Sequence, residues 1–192
     1  MNDAANWPDD TPGRLEQAAL ALFERHGFES VSCADIAEAA GVSERTFFRH
    51  FAHKEDVLLR DSQARLDRLR DALADMSDDV ASSLAGALAA AIDERDPAFR
   101  LRARLLTTSP SLVRRNLELQ VQWEEAISES LQGILPEADA AVIAAAAVAC
   151  ARVVVAGTGA GAGAGEDAEL DTSASLARSF RALWPLTTSP QG

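Results

Sequence analysis

Residues 32–54 read SCADIAEAAGVSERTFFRHFAHK, and the fold turns on how this stretch is read. Ser32 is a hydroxyl residue suited to cap a helix, and Asp35, three positions on, can return a bond to the cap's backbone amide. A helix is therefore expected from Cys33, with Ile36, Ala37 and Ala40 as its apolar face. It stops at Gly41, because glycine takes a left-handed backbone without a Cβ clash. Val42 then supplies an apolar plug and Ser43 a second N-cap, so the chain restarts at once as a helix over residues 44–51. Two helices joined by so short a link cross steeply, which is the helix-turn-helix geometry.

The aromatic residues fix how the second helix must face. Phe47 and Phe51, four apart, share a side that packs inward with Val42, and this turns Glu44, Arg45, Phe48 and Arg49 outward. An outward phenylalanine beside two arginines calls for a partner, and duplex DNA fits. Arginine can bond a guanine edge in a bidentate way, or a phosphate, while Thr46 and His50 can donate to phosphate oxygens. Lys54, at the start of the next helix, is expected to clamp a backbone phosphate with help from that helix's amides.

Upstream, Thr11 and Pro12 read as cap and first helical residue, and Leu15, Ala18, Ala19, Leu22 and Phe23 form an amphipathic stripe that Gly27 ends. Phe28 and Val31 are expected to close a small core. Downstream, the pattern predicts one long helix over residues 54–76, burying Leu58, Leu66, Leu69 and Leu73.

The run from Leu15 to Leu58, through LFERHGF, VSCADIAEAAGVSERTFFRHF and KEDVL, resembles the DNA-binding domain of the TetR family of bacterial transcription regulators. That resemblance implies a three-helix N-terminal domain on an operator and a larger helical C-terminal domain that dimerises and holds a small-molecule effector. Carried over by position, the DNA-contacting residues are Ser43, Arg45, Thr46, Phe48, Arg49, His50 and Lys54. Phe48 departs from the tyrosine often found there, so it forgoes a phosphate bond and keeps only apolar contact with sugar or a thymine methyl.

Composition agrees. The 192 residues are 47% hydrophobic, rich in alanine and leucine and without tyrosine, which favours an all-α fold. A net charge of −12 argues against a protein that coats nucleic acid, since the bulk field repels phosphate. Between Gly41 and Lys54 the sign reverses: Arg45, Arg49 and Lys54 stand against Glu44 alone, with His50 and His53 alongside. Cys33 and Cys150 lie far apart with no signal-like N-terminus, so reduced thiols in a cytoplasm are expected. His26, His50 and His53 all fall in the DNA-binding part, and neither cysteine has zinc spacing. No nucleophile, base and oxyanion site assembles, so neither an enzyme nor a cofactor is expected.

The expected organisation is a disordered arm over 1–10, a helix-turn-helix domain over 11–56, a helical regulatory and dimerisation domain over 57–185, and a disordered tail over 186–192. Trp7 in the arm has no assigned role. Within the larger domain, helices are expected over 79–94, 96–107, 111–135, 137–156 and 169–183. The long one over 111–135 is amphipathic, with Val113, Leu117, Trp123, Ile127, Leu131 and Ile134 among its apolar positions. The run GTGAGAGAGED, residues 157–167, reads as a flexible loop. Residues 138–156 approach the length of a membrane span, but alanine is weakly apolar, Arg152 interrupts the run and no aromatic belt flanks it, so no membrane is expected.

The family resemblance implies instead that 138–156 and 169–184 form a homodimer. Residues 101–131 are similar to a subgroup that includes regulators associated with mycofactocin gene clusters, which respond to acyl-coenzyme A thioesters. On that likeness Arg102, Arg104, Arg114 and Arg115 would meet phosphates of an acyl-CoA while the apolar helix faces, with Trp123, hold its acyl chain or another apolar ligand. The expected function is a transcriptional regulator, a repressor released from a palindromic operator by its effector. The alternative is a helical protein-interaction dimer whose helix-turn-helix is vestigial.

Overall fold

The computed structural model describes residues 10–77, 79–92, 96, 98–160, 174–180 and 182, and all regular structure among them is helical. The all-α expectation therefore stands. The chain divides into two compact units, Met1–Arg60 and Asp61–Gly192.

Among its described residues the first unit holds four helices: α1 (Thr11–His26), α2 (Cys33–Ala39), α3 (Glu44–His50) and α4 (Lys54–Leu58). The start of α1 differs from expectation by one residue. Asp10, not Thr11, is the cap: its Oδ1 accepts from the Gly13 amide at 3.0 Å, which leaves Pro12 in the first turn and Thr11 buried. Carboxylate outcompetes hydroxyl there because it also meets the positive end of the helix dipole. Leu15, Ala19 and Phe23 of α1 are buried with Phe28, Val31, Ile36, Phe47, Val57 and Leu58, as the stripe predicts. Arg60 pairs with Glu16 at 2.9 Å, tying the end of this unit to its first helix.

The single helix expected over 54–76 is two. Helix α4 ends at Leu58, Leu59 leaves helical geometry at φ −103° and ψ 11°, and α5 (Ser62–Ala74) begins after a turn. Val57, Leu58 and Leu59 are consecutive and all buried. Successive residues of a continuous helix point 100° apart, so a single stripe cannot bury three in a row.

In the second unit α5 packs with α6 (Val80–Ala91) and with α8 (Pro110–Leu131), while α7 (Phe99–Thr108) packs on α8 and on α9 (Glu137–Ala160). Residues 174–180 and 182 are helical as well. Leu66, Leu69 and Leu73 are buried as expected, in one core with Leu84, Leu88, Ile127, Leu131, Ile143 and Leu176.

Helix α8 corrects the predicted stripe. It buries Leu112, Ala126, Ile127 and Leu131, whereas Leu117 and Ile134 are 42% and 54% exposed, and Ile134 lies past its end. Trp123 is half-buried against the core. Helix α9 also runs further than expected, through Gly157 to Ala160. Glycine costs about 1 kcal/mol per helical position, but an established helix gains a bond with each added residue, so a glycine–alanine run can extend one that is already formed. Residues 161–167 of that run, residues 1–9 of the expected arm with Trp7, Pro97, residues 169–173 at the start of the expected final helix and the tail lie outside the described residues.

Candidate nucleic-acid interface

The geometry of the helix-turn-helix is set by local caps. Ser32 Oγ accepts from the Asp35 amide at 3.1 Å, and Asp35 Oδ2 accepts from the Ser32 amide at 2.8 Å and hydroxyl at 2.6 Å. The hydroxyl and amide of Ser32 hold the Asp35 carboxyl below the usual carboxylate range. At the other end of α2, Gly41 has φ +70°, and its amide donates to Glu38 while Val42 donates to Ala37. A Cβ added at Gly41 would meet nothing within 4 Å, so the glycine is needed for its backbone angle, not for space.

Ser43 then caps α3, its Oγ accepting from the Thr46 amide at 3.1 Å and lying 2.9 Å from the Thr46 hydroxyl. Phe47 is 0% exposed, and the rings of Phe48 and Phe51 sit 5.4 and 5.8 Å from it. Burying Phe47 and Phe51 on one side leaves Glu44, Arg45, Phe48, Arg49 and His50 exposed on the other, with Ser43 exposed and Thr46 partly so. Phe48 is 51% exposed. It also lines a cleft of about 470 Å³ together with Ser32, Cys33, His53 and Lys54. Arg49 Nη2 lies 3.3 Å from His50 Nε2, so the two basic side chains are held side by side at the helix end.

Lys54 is placed differently from a clamp reaching outward. Its ammonium donates to the carbonyls of Phe28 and Val31 at 2.8 Å each and to that of Glu29 at 3.4 Å, and stands 4.4 Å from the Phe28 ring centre. Three acceptors match its three donors, so the side chain pins the α1–α2 loop to the start of α4. Lys54→Met should therefore lower the unfolding free energy by about 1–3 kcal/mol, the cost of leaving part-buried carbonyls unmet, read as a shifted urea midpoint. Unchanged stability with weaker DNA binding would restore the clamp role.

The residues assigned to an effector do not come together as a set. Arg102 is buried, with its Nε 3.0 Å from Asp96 Oδ2, whereas Arg104, Arg114 and Arg115 are exposed and Arg115 pairs with Glu118 at 2.6 Å. Sequence reading passes over Arg65, whose Nε is buried with no hydrogen-bond acceptor among the described residues. Its position one residue before Leu66 and four before Leu69 is the only signal that could have marked it. Burial raises the pKa of both Cys33 and Cys150, which keeps them as thiols and poor nucleophiles. No group of metal-ligating side chains occurs among the described residues.

The family described as bacterial regulatory proteins, TetR family, matches residues 16–60. Over 126 residues the chain is 32% identical to the mycofactocin biosynthesis transcriptional regulator MftR of Mycobacterium tuberculosis, covering 62% of this chain and 63% of that protein. Over 49 residues it is 51% identical to the HTH-type transcriptional regulator TcmR of Streptomyces glaucescens, covering 26% of this chain and 22% of that one. The matched region thus spans less than two thirds of either relative. Among solved structures, a TetR-family transcriptional regulator from Syntrophomonas wolfei matches with a TM-score of 0.71 at 13% identity, over 96% of this chain and 98% of that one. Thermus thermophilus FadR, a TetR-family repressor in complex with lauroyl-CoA, matches with a TM-score of 0.55 at 25% identity, over 94% and 97%.

Proposed function

We propose that this chain, which belongs to the TetR family of bacterial regulatory proteins, is a DNA-binding transcriptional regulator that represses from a palindromic operator and is released by a small-molecule effector. The observation that carries this reading is the outer face of α3. Arg45, Phe48, Arg49 and His50 stand exposed on a helix whose other side is anchored by the fully buried Phe47. Such a helix can enter a major groove with Arg45 at a base edge, Ser43 and Thr46 near the phosphates, and Arg49 with His50 on the backbone. Lys54 contributes by holding the loop that seats α4.

A palindrome needs two heads, and α9 supports a dimer as their source. Ala140, Ile143, Ala144, Ala147, Val148 and Ala151 bury one side of it, while Val142 and Val153 are 62% and 67% exposed on the other. Positions 142, 146, 149 and 153 recur at helical spacing, forming a second apolar stripe rich in small residues. The helix is long and apolar enough to cross a membrane by length and composition, with a third of that window buried. Its buried stripe belongs to the core of the second unit, and its outer stripe fits a second copy of this chain. Changing both Val142 and Val153 to Asp should convert a dimer to monomers in sedimentation velocity, and a persistent dimer would move the interface elsewhere.

The effector class this reading favours is an acyl-CoA or another apolar molecule held in the second unit, in keeping with the lauroyl-CoA bound by FadR. Release follows from linkage: a compound that binds the free dimer more tightly than the operator-bound one lowers operator affinity by the same factor that DNA lowers its own. A mobility-shift assay with the intergenic DNA beside its gene tests the regulator reading. A salt-sensitive shift with a discrete protected site is expected. Absence of any shift at low salt would leave the interaction-dimer alternative.

A further inference from the structure

Arginine does not shed its proton in a protein, so a guanidinium withdrawn from water has to be met by an anion. In the second unit Arg102 is withdrawn and Arg65 partly so. Arg102 lies on the buried face of α7 beside Phe99 and Ala103, its side chain 7% exposed. Its Nε is 3.0 Å from Asp96 Oδ2, and the other oxygen of Asp96 accepts from the Ala98 amide at 2.9 Å. Both oxygens of that carboxylate are thereby committed. Arg65, on α5, has a buried Nε that meets no acceptor among the described residues. Burial, and after it the charge of Arg102, pushes the Arg65 pKa down, while Asp61 and Asp96 pull it back. Ser111 at the start of α8, the helix that packs on both α5 and α7, also has a buried hydroxyl with no partner among the described residues.

A like-charged arginine pair with one donor unmet is costly to a folded protein, and a carboxylate would relieve that cost. The Nε and one terminal nitrogen of a guanidinium form a planar fork that matches two carboxylate oxygens. The charge also sets the ligand class. Arg65, Arg68 and Arg102 against Asp61 and Asp96 leave one positive charge in excess, which a monoanion neutralises and a dianionic phosphate oversupplies. We propose that Arg65, backed by Arg102, binds the carboxylate of a monoanionic small molecule inside the second unit. Casting that molecule as the effector rests on the regulator reading and narrows its class from an acyl-CoA, which is polyanionic, to a free carboxylic acid; the binding itself does not rest on that reading.

The test is thermal unfolding of the full chain without DNA, titrated with decanoate, with 1-decanol at the same concentrations, and with inorganic phosphate at matched ionic strength. Decanoate should raise the melting temperature, and decanol and phosphate should not. Arg65→Lys keeps the charge and loses the fork, so it should weaken the decanoate response by about tenfold or more, and Arg65→Gln should remove it. Arg70→Gln, on an exposed arginine of the same helix, should respond like the parent. Equal responses to decanoate and decanol, a response to phosphate alone, or an undiminished response in Arg65→Lys would overturn the proposal. Failure of the regulator reading would show separately, as a missing mobility shift in the unliganded protein.

Discussion

Phe47→Ala should cost about 3–5 kcal/mol of stability, the range for deleting a buried aromatic ring, and leave the unit Met1–Arg60 unfolded much of the time. The ring is fully buried, with Phe48 edge-on to it and Phe51 tilted against it. Small domains bury too little surface to hold a large reserve, and folded proteins seldom exceed about 5–15 kcal/mol in all. Urea denaturation followed by circular dichroism, with hydrogen exchange at the amides of α2 and α3, would read the change. A loss of under about 1 kcal/mol, typical of surface substitutions, would mean that Phe47 is not the anchor of α3. Phe48→Ala is the matched control: the neighbouring ring is half exposed, so stability should hold while DNA affinity falls.

Arg45→Ala carries the second large effect, this time on recognition. A good bidentate contact to a base is worth about 1–3 kcal/mol, and a dimer on a palindrome makes it twice, so the loss should be about 2–6 kcal/mol, or roughly 30-fold to 10⁴-fold in Kd. The signature is positional. Competition with operator variants should show base preference relaxed at one symmetric pair of positions and kept at the rest. Equal weakening on every sequence would assign Arg45 to phosphate instead. Lys54→Met provides the contrast, since its effect should pass through the stability of the α1–α2 loop and ignore sequence altogether.

The helix-turn-helix was legible in the sequence because its instructions are local. Ser32 with Asp35, Gly41 and Ser43 all act within three or four residues of themselves, and the structure places each of them as a cap or turn. The residues that sequence reading misplaced answer to distant partners. Lys54 looks like a free cation until Phe28 and Val31, more than twenty positions earlier, are brought under its ammonium. Arg104, Arg114 and Arg115 look equivalent to Arg102 until α7 turns one inward and leaves the others in water. The same limit explains the break after Leu58, which no glycine or proline announces and which follows from burying Leu59 as well. Leu117 fitted a plausible stripe on α8, but packing selected another register of the same helix.

The inward turn of Lys54 has a kinetic consequence. With that charge spent on the protein's own carbonyls, the outward cations of the recognition segment are Arg45 and Arg49, on a chain of net charge −12. Sliding along a duplex is sustained by non-specific phosphate contacts, and two arginines per head, opposed by the field of the whole chain, sustain little of it. Each wrong encounter should therefore be brief. A reader built this way would find its target by many short landings from solution, and residence time would become long only where the base contacts of both heads are made together.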